Sequence, residues 1–240
     1  MKTSKKETLK GLLENLKQQK NYFSYEDIKS LLKKEKIEIN SASLKVYIHE
    51  LAQNKIIFDA GKGWYSSIEK IFELNIKPIR IISNKLKKQF PLLKLSCWST
   101  EQLNSFTHHL MAKFVTFVYI DSDYIGNIAN FLEESGYRVY LNPGKQEIKK
   151  LFKIGKKTVV ILPSISKQPE SINGYAPIEK ILIDFLMENR NFKIMEKVEA
   201  ENVAINAICS GRINISTMNS YAKRRKFNES AKLTKANNTK

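Results

Sequence analysis

A basic cluster near the end of the chain has the residue types that bind phosphate groups. Its members are Tyr221, Lys223, Arg224, Arg225 and Lys226, within the segment INISTMNSYAKRRKF. Arginine pairs with a phosphate through two parallel hydrogen bonds, and lysine adds a point charge on a flexible stem. The cluster therefore predicts a phosphate-binding patch. A solvated helix end whose cations complement the helix dipole is the alternative interpretation, and both stay open here.

A second set of polar residues lies on one predicted helix and on the hairpin after it. In SASLKVYIHELAQ (41–53), apolar residues recur at helical spacing and are expected to face inward. The outward positions and the hairpin tip are Ser41, Ser43, Lys45, Val46, His49 and Lys62. Short polar residues at a helix start allow close approach to bases and phosphates, and the helix dipole favours phosphate there. These six residues are the predicted DNA contacts; a protein-docking module is the alternative.

Two carboxylates, Asp121 and Asp123, follow an apolar run and could hold Mg²⁺, as in a metal-dependent nuclease or transferase. A nuclease of this kind needs an ExK-like pair on a following strand, and a nucleotidyltransferase needs a Gly-Ser turn before its Asp pair. Neither is found in the sequence. Helix capping is therefore the favoured role, with the metal-dependent enzyme kept as the alternative function.

Other patterns that carry chemistry are missing. His108 and His109 are adjacent, but spacing supplies no third metal ligand. The sequence contains no Walker A, GxGxxG, GxSxG or HExxH motif. In the helix PIEKILIDFLMEN, Glu179, Lys180 and Asp184 are predicted to flank a buried apolar stripe as a solvated edge. We therefore expect no enzyme, no catalytic residue, no cofactor and no metal.

The elements that position the predicted DNA contacts are three short helices and a hairpin. Leucines at helical spacing predict a helix over 7–19, and Ser24 with Asp27 predicts the capped start of a second helix. Asn40 or Ser41 is expected to cap the third. The run KIIFDAGKGWYS then predicts a hairpin. This order is that of a winged helix-turn-helix, over residues 1–68.

Residues 69–228 alternate between strand and helix patterns. KLSCW, KFVTFVYI, YRVYL and KTVVILP are the predicted strands, followed by helices at 177–189, about 196–209 and about 216–226. The fold class is therefore mixed α/β: an N-terminal winged helix-turn-helix and an α/β domain with a helical C-terminus. The sequence predicts a disordered tail over 229–240.

Composition narrows the class of protein further. The 240 residues carry a net charge of +17, so an anionic partner such as nucleic acid is expected. The two cysteines, Cys97 and Cys209, cannot form a disulfide framework. The longest apolar run, FVTFVYI, is too short to span a bilayer. We expect a soluble, cytoplasmic protein with no membrane partner.

Taken in order, several segments resemble a known family. They are GKGWYS, FPLLKLSCWSTEQLNSFTHH, KFVTFVYID, YLNPGKQEI, VVILPSIS, APIEKILIDFLMEN and INISTMNSYAKRRK. This pattern is similar to the AbiE-type (AbiEi-like) antitoxin and transcriptional regulators of abortive-infection toxin–antitoxin modules, and it covers about residues 8–228.

The resemblance implies a transcriptional autorepressor that binds inverted repeats in the promoter of its own operon. It also implies a cognate nucleotidyltransferase toxin, which the antitoxin counteracts directly or indirectly through its C-terminal part. The basic cluster from Tyr221 to Lys226 would then be either a toxin-neutralising surface or a second nucleic-acid patch.

Overall fold

A computed structural model describes residues 5–108 and 110–235. The helices are α1 (Lys5–Gln19), α2 (Tyr25–Lys34), α3 (Ser41–Gln53), α4 (Lys77–Gln89), α5 (Ile125–Glu134), α6 (Lys145–Leu151), α7 (Ile178–Phe192), α8 (Lys197–Ser210), α9 (Ile215–Arg224) and α10 (Ser230–Lys235). The strands are β1 (Tyr22–Ser24), β2 (Phe58–Asp59), β3 (Trp64–Ser66), β4 (Ser96–Ser99), β5 (Val115–Ile120), β6 (Arg138–Leu141) and β7 (Thr158–Pro163). Two 3-10 segments, Thr100–Phe106 and Ser122–Tyr124, complete the elements. The mixed α/β class is confirmed.

The chain forms two compact units. Within the described residues, the first unit contains 5–72, 208–220 and 229–235, and the second contains 73–207 and 221–228. The N-terminal boundary lies close to the predicted one at residue 68, but the last fifth of the chain is shared between the units. Helix α9 carries residues of both, with 215–220 assigned to the first unit and 221–224 to the second.

The first unit is a winged helix. Its three-stranded antiparallel sheet has the order β1-β3-β2, so β3 lies in the centre. Leucines of α1 pack with Ile28 of α2 and Leu44 and Ile48 of α3 in one apolar core. The predicted capping box is confirmed: the Asp27 amide donates to the Ser24 hydroxyl (3.1 Å), and Asp27 Oδ2 accepts from the Ser24 amide (2.7 Å).

Strand β1 was not predicted, because three residues are too few to display an alternating pattern. The tail differs from the prediction as well. Ser230–Lys235 form α10, in which Leu233 is buried, whereas the sequence predicts disorder from residue 229. A short lysine-rich segment has little apolar periodicity, and Leu233 is buried through tertiary packing. Residues 236–240 lie outside the described part of the chain.

The second unit contains a four-stranded sheet of order β4-β5-β7-β6. Strand β4 is antiparallel to β5, whereas β5, β7 and β6 are mutually parallel, as the strand–helix alternation predicts. One face of the sheet packs on α4 and α5. On the other face, Trp98 stacks on Phe117 with ring centroids 4.6 Å apart, and Phe185 of α7 meets Trp98 edge-on.

No helix within the described residues is long and apolar enough to cross a membrane.

Candidate nucleic-acid interface

Helix α3 presents most of the predicted DNA contacts on one outward face. The side chain of Asn40 caps its start by accepting a hydrogen bond of 2.7 Å from the Ser43 amide. Asn40 is one of the two residues predicted to cap this helix. It leaves Ser41 exposed at the first turn, whereas Ser43 is half-buried. Leu44, Ile48 and Leu51 lie in the core and fix which side of the helix faces outward.

The remaining α3 candidates are exposed. Val46, with 53% of its surface exposed, is an apolar residue on a polar face, next to Lys45. The His49 imidazole lies 3.0 Å from the side-chain amide of Gln53, one turn further on. The outward face therefore offers a cation, an apolar contact and an imidazole, a set that can meet a phosphate and the edge of a base.

The wing is a tight turn that requires two glycines. Gly61 and Gly63 have φ of 98° and 73°, values that favour glycine, and Lys62 between them is exposed. The turn is closed by a hydrogen bond from the Trp64 amide to the Gly61 carbonyl (2.8 Å). Lys62 is thereby held at the tip of a short, constrained hairpin.

Residues from the far end of the chain support the wing, which the sequence did not predict. The Ile215 amide donates a 2.8 Å hydrogen bond to the Ala60 carbonyl. A Cβ at Gly61 would overlap the side chain of Asn214, so Gly61 is needed for close approach as well as for its φ. The Tyr22 hydroxyl anchors the same segment, because it accepts from the Ile213 amide (3.0 Å) and donates to the Gly211 carbonyl (3.0 Å).

A cationic groove beside the start of α3 was also missed by sequence reasoning. This open groove, of about 970 Å³, is lined by Asn40 and Ser41 together with Lys29, Lys33 and Lys36, and Glu26 and Glu38 also line it. All three lysines are exposed, and Lys29 pairs with Glu26 at 3.2 Å. The spacing of these lysines along the sequence indicates only the polar side of a helix and does not predict a groove. The turn between α2 and α3 is what brings them to the α3 N-terminus, where the helix dipole also favours an anion.

The basic cluster predicted at 221–226 is divided by the structure. Lys223, Arg224 and Lys226 are exposed. Tyr221 has 1% of its surface exposed and the Arg225 side chain 10%, so these two are not available to a nucleic acid. Helical geometry explains the division, since residues four apart lie on the same side and here that side faces α7.

Tyr221 and Arg225 join a buried polar network on α7. The Lys180 ammonium donates to Asp184 Oδ2 (2.6 Å) and to the Tyr221 hydroxyl (3.0 Å), and Tyr221 donates to Asp184 Oδ1 (2.6 Å). Arg225 Nη2 donates to Glu188 Oε1 at 2.5 Å. The prediction that Lys180 and Asp184 form a solvated edge is therefore wrong, because both are fully buried.

Burial governs the protonation of this network. It lowers the pKa of Lys180, although the neighbouring Asp184 carboxylate acts in the opposite direction. It raises the pKa of the Tyr221 and Tyr119 hydroxyls, with the Asp184 charge adding to the effect. The tyrosines therefore remain protonated donors. The Lys180 ammonium also lies 3.6 Å from the centroid of the Tyr119 ring, which stabilises its charge.

The acidic pair at the end of β5 has a local role. The Asp121 side chain accepts from the Asp123 amide (3.2 Å) and caps the 3-10 turn Ser122–Tyr124. Among residues 5–108 and 110–235, no group of three or more histidine, cysteine, aspartate or glutamate side chains could hold a metal ion. His109 lies outside the described residues.

A family model matches residues 43–240. The chain belongs to DUF6577, a family of unknown function. No curated protein and no solved structure matches the chain. The DUF6577 match begins within α3, so it includes the wing and the whole second unit and leaves α1, β1 and α2 outside. The similarity to AbiE-type antitoxins stays a prediction.

Proposed function

We propose that this chain is a DNA-binding antitoxin and transcriptional autorepressor that binds inverted repeats in the promoter of its own operon. The observation that carries the DNA-binding part is the set of exposed polar and cationic features on one winged helix. The exposed face of α3, the cationic groove at its start and Lys62 on the wing all belong to the first unit.

In this proposal α3 enters the major groove and the wing contacts the neighbouring backbone. Ser41 and Ser43 allow the helix start to approach closely, and Lys45, Val46 and His49 meet the groove floor and wall. Lys62 and the groove lysines Lys29, Lys33 and Lys36 neutralise phosphates. Because α3 carries no arginine for bidentate pairing with guanine, most of the affinity comes from phosphate contacts and falls with salt.

The antitoxin part rests on the resemblance to AbiE-type regulators. It proposes a cognate nucleotidyltransferase toxin as the partner, counteracted directly or indirectly. Of the basic cluster, Lys223, Arg224 and Lys226 are the members exposed for such a contact. We propose no catalytic role for the chain, in keeping with the local capping role of Asp121.

A mobility-shift assay on the operon's own promoter tests the DNA-binding part. Lys45→Glu combined with Lys62→Glu is expected to abolish the shift, because each reversal places a carboxylate against phosphate. The matched control is Lys88→Glu combined with Lys94→Glu, the same charge change at exposed lysines of the second unit. Unchanged binding by the first double variant would defeat the proposal. Binding of the adjacent gene product without any DNA binding would instead favour a docking module.

A further inference from the structure

A cavity of about 500 Å³ opens in the second unit, apart from the residues discussed above. It lies where the parallel strands begin: Phe114 and Thr116 at the start of β5, Thr158 at the start of β7, and Tyr137 just before β6. Helix α4 closes one side. A volume of this size is typical of sites that hold a small molecule.

The charged residues of the lining are mostly cationic. They are Lys85, Lys113, Lys156 and Lys157, and Glu101 is the single acidic residue among the lining residues. A Cβ at Gly155 would lie 3.6 Å from Nη1 of Arg138, so the Arg138 guanidinium is adjacent to one lining residue. Cations gathered in this way repel one another, and an anion with several charges relieves that repulsion.

Tyr137 holds two of these cations in place. Its ring centroid lies 5.9 Å from the Lys85 ammonium and 5.6 Å from the Lys157 ammonium. The ring therefore attracts two ammonium groups, one on a lysine of α4 and one on a lysine of the turn before β7. Because burial raises the pKa of the Tyr137 hydroxyl, the phenol stays neutral and does not repel an anion.

Apolar residues also line the cavity: Pro78, Ile81, Ala112 and Phe114. Ile81 has 68% of its surface exposed, whereas its neighbours Ile79 and Ile82 are buried in the core. Core packing of α4 therefore does not require a large apolar side chain at position 81. A flat, weakly polar group could cover Ile81 and Phe114 and remove that apolar surface from water.

We propose that this cavity binds a nucleoside di- or triphosphate. The base lies against Ile81 and Phe114, and the phosphates lie between Lys85, Lys156 and Lys157. A ligand with a flat ring at one end and several negative charges at the other matches both the apolar and the cationic residues of the lining. An inorganic polyphosphate would use the lysines alone. A nucleic acid strand would need a groove that follows its backbone, not a pocket.

Isothermal titration calorimetry of the full chain with ATP, GTP and tripolyphosphate tests this proposal. Lys85→Glu combined with Lys157→Glu is expected to weaken nucleotide and tripolyphosphate binding by roughly tenfold or more, the loss of at least one charge-assisted contact. Lys88→Glu combined with Lys94→Glu, which reverses two exposed lysines outside the lining, is the matched control. Ile81→Ser is expected to weaken nucleotide binding and to leave tripolyphosphate binding unchanged.

Three results would overturn the proposal. The first is nucleotide binding that the Lys85→Glu and Lys157→Glu changes leave intact. The second is tripolyphosphate binding as tight as that of ATP, which would remove the base from the site and leave a simple anion pocket. The third is an oligonucleotide that displaces ATP from the cavity and binds more tightly. Promoter binding by the winged helix is measured separately, so either proposal can fail alone.

Discussion

The Tyr221 hydroxyl donates a 2.6 Å hydrogen bond to Oδ1 of Asp184, thirty-seven positions earlier in the chain, and both residues are buried. The contact joins α9 to α7 within the second unit. Asp184 also accepts from the Lys180 ammonium, so a buried carboxylate is satisfied by a lysine and a tyrosine together. Buried charges are stable only when such partners are present.

Removing the Tyr221 hydroxyl should therefore destabilise the second unit. Tyr221→Phe leaves Asp184 Oδ1 without this donor and is expected to lower the free energy of unfolding by about 1–3 kcal/mol. Urea unfolding of a Trp64→Phe background makes Trp98, which lies in this unit, the sole tryptophan reporter. Tyr124→Phe, at a tyrosine that is 42% exposed, is the matched control and is expected to change little.

Lys180→Met should lower the free energy of unfolding more than Tyr221→Phe does. It removes the ammonium 2.6 Å from the buried Asp184 carboxylate and leaves the more distant Arg225 Nε, 3.4 Å from Oδ1. Breaking a buried pair from one side costs about 3–5 kcal/mol. The same urea unfolding experiment measures it. Equal stability of Lys180→Met and the parent would contradict a stabilising role for the Lys180–Asp184 pair.

The groove lysines on and just after α2 should contact phosphates, if the proposed DNA binding holds. Lys33→Ala and Lys36→Ala are each expected to weaken binding to promoter DNA and to non-specific DNA by the same factor. Each change should reduce the slope of log affinity against log salt by about one. Fluorescence anisotropy at several salt concentrations measures the slope. A loss confined to the promoter sequence would instead mean that these lysines read bases. Lys88→Ala is the control.

The two wing glycines should differ in their tolerance of a side chain. Both have positive φ, so alanine at either costs about 1–2 kcal/mol from backbone strain. Only Gly61→Ala also collides with Asn214, because nothing lies within 4 Å of a Cβ at Gly63. Thermal unfolding should therefore show a larger loss for Gly61→Ala. Equal losses would mean that the 214–216 segment does not pack on the wing.

The two cysteines should react at very different rates with a thiol reagent. Cys97 is buried in the sheet core, and burial raises the pKa of its thiol to about 12, whereas Cys209 is exposed. At pH 8 we expect one thiol to react in the folded chain and two in urea. In the folded Cys209→Ser variant we expect no thiol to react rapidly.

The Cys97 thiol should also make stability depend on pH. Because its folded pKa lies above the usual 9.0, the Cys97 thiol favours folding below pH 9, and its contribution is lost between about pH 9 and 12.

Features that depend on neighbouring residues follow from the amino-acid sequence alone. The capping box at Ser24 and Asp27 is local chemistry, because three positions along one helix suffice to form it. Apolar spacing in 41–53 likewise determined which face of α3 is buried, and Gly-Lys-Gly determined the wing turn. The strand–helix alternation from residue 94 predicted an α/β unit with some parallel pairing, and β5, β7 and β6 are the parallel strands.

The environment of charged side chains with distant partners depends on the tertiary structure. Lys180 and Asp184 look like the polar edge of an amphipathic helix, and Arg225 looks like one member of a basic cluster. They are buried because α9 brings Tyr221 and Arg225 against α7. The Asp184 carboxylate accepts hydrogen bonds from two donors, which replace its hydrogen bonds to water. The support of Gly61 by Asn214 is equally non-local, since more than 150 positions of chain separate the two residues. Spacing along a chain specifies periodicity, whereas burial of a charge depends on which partners the fold brings to it.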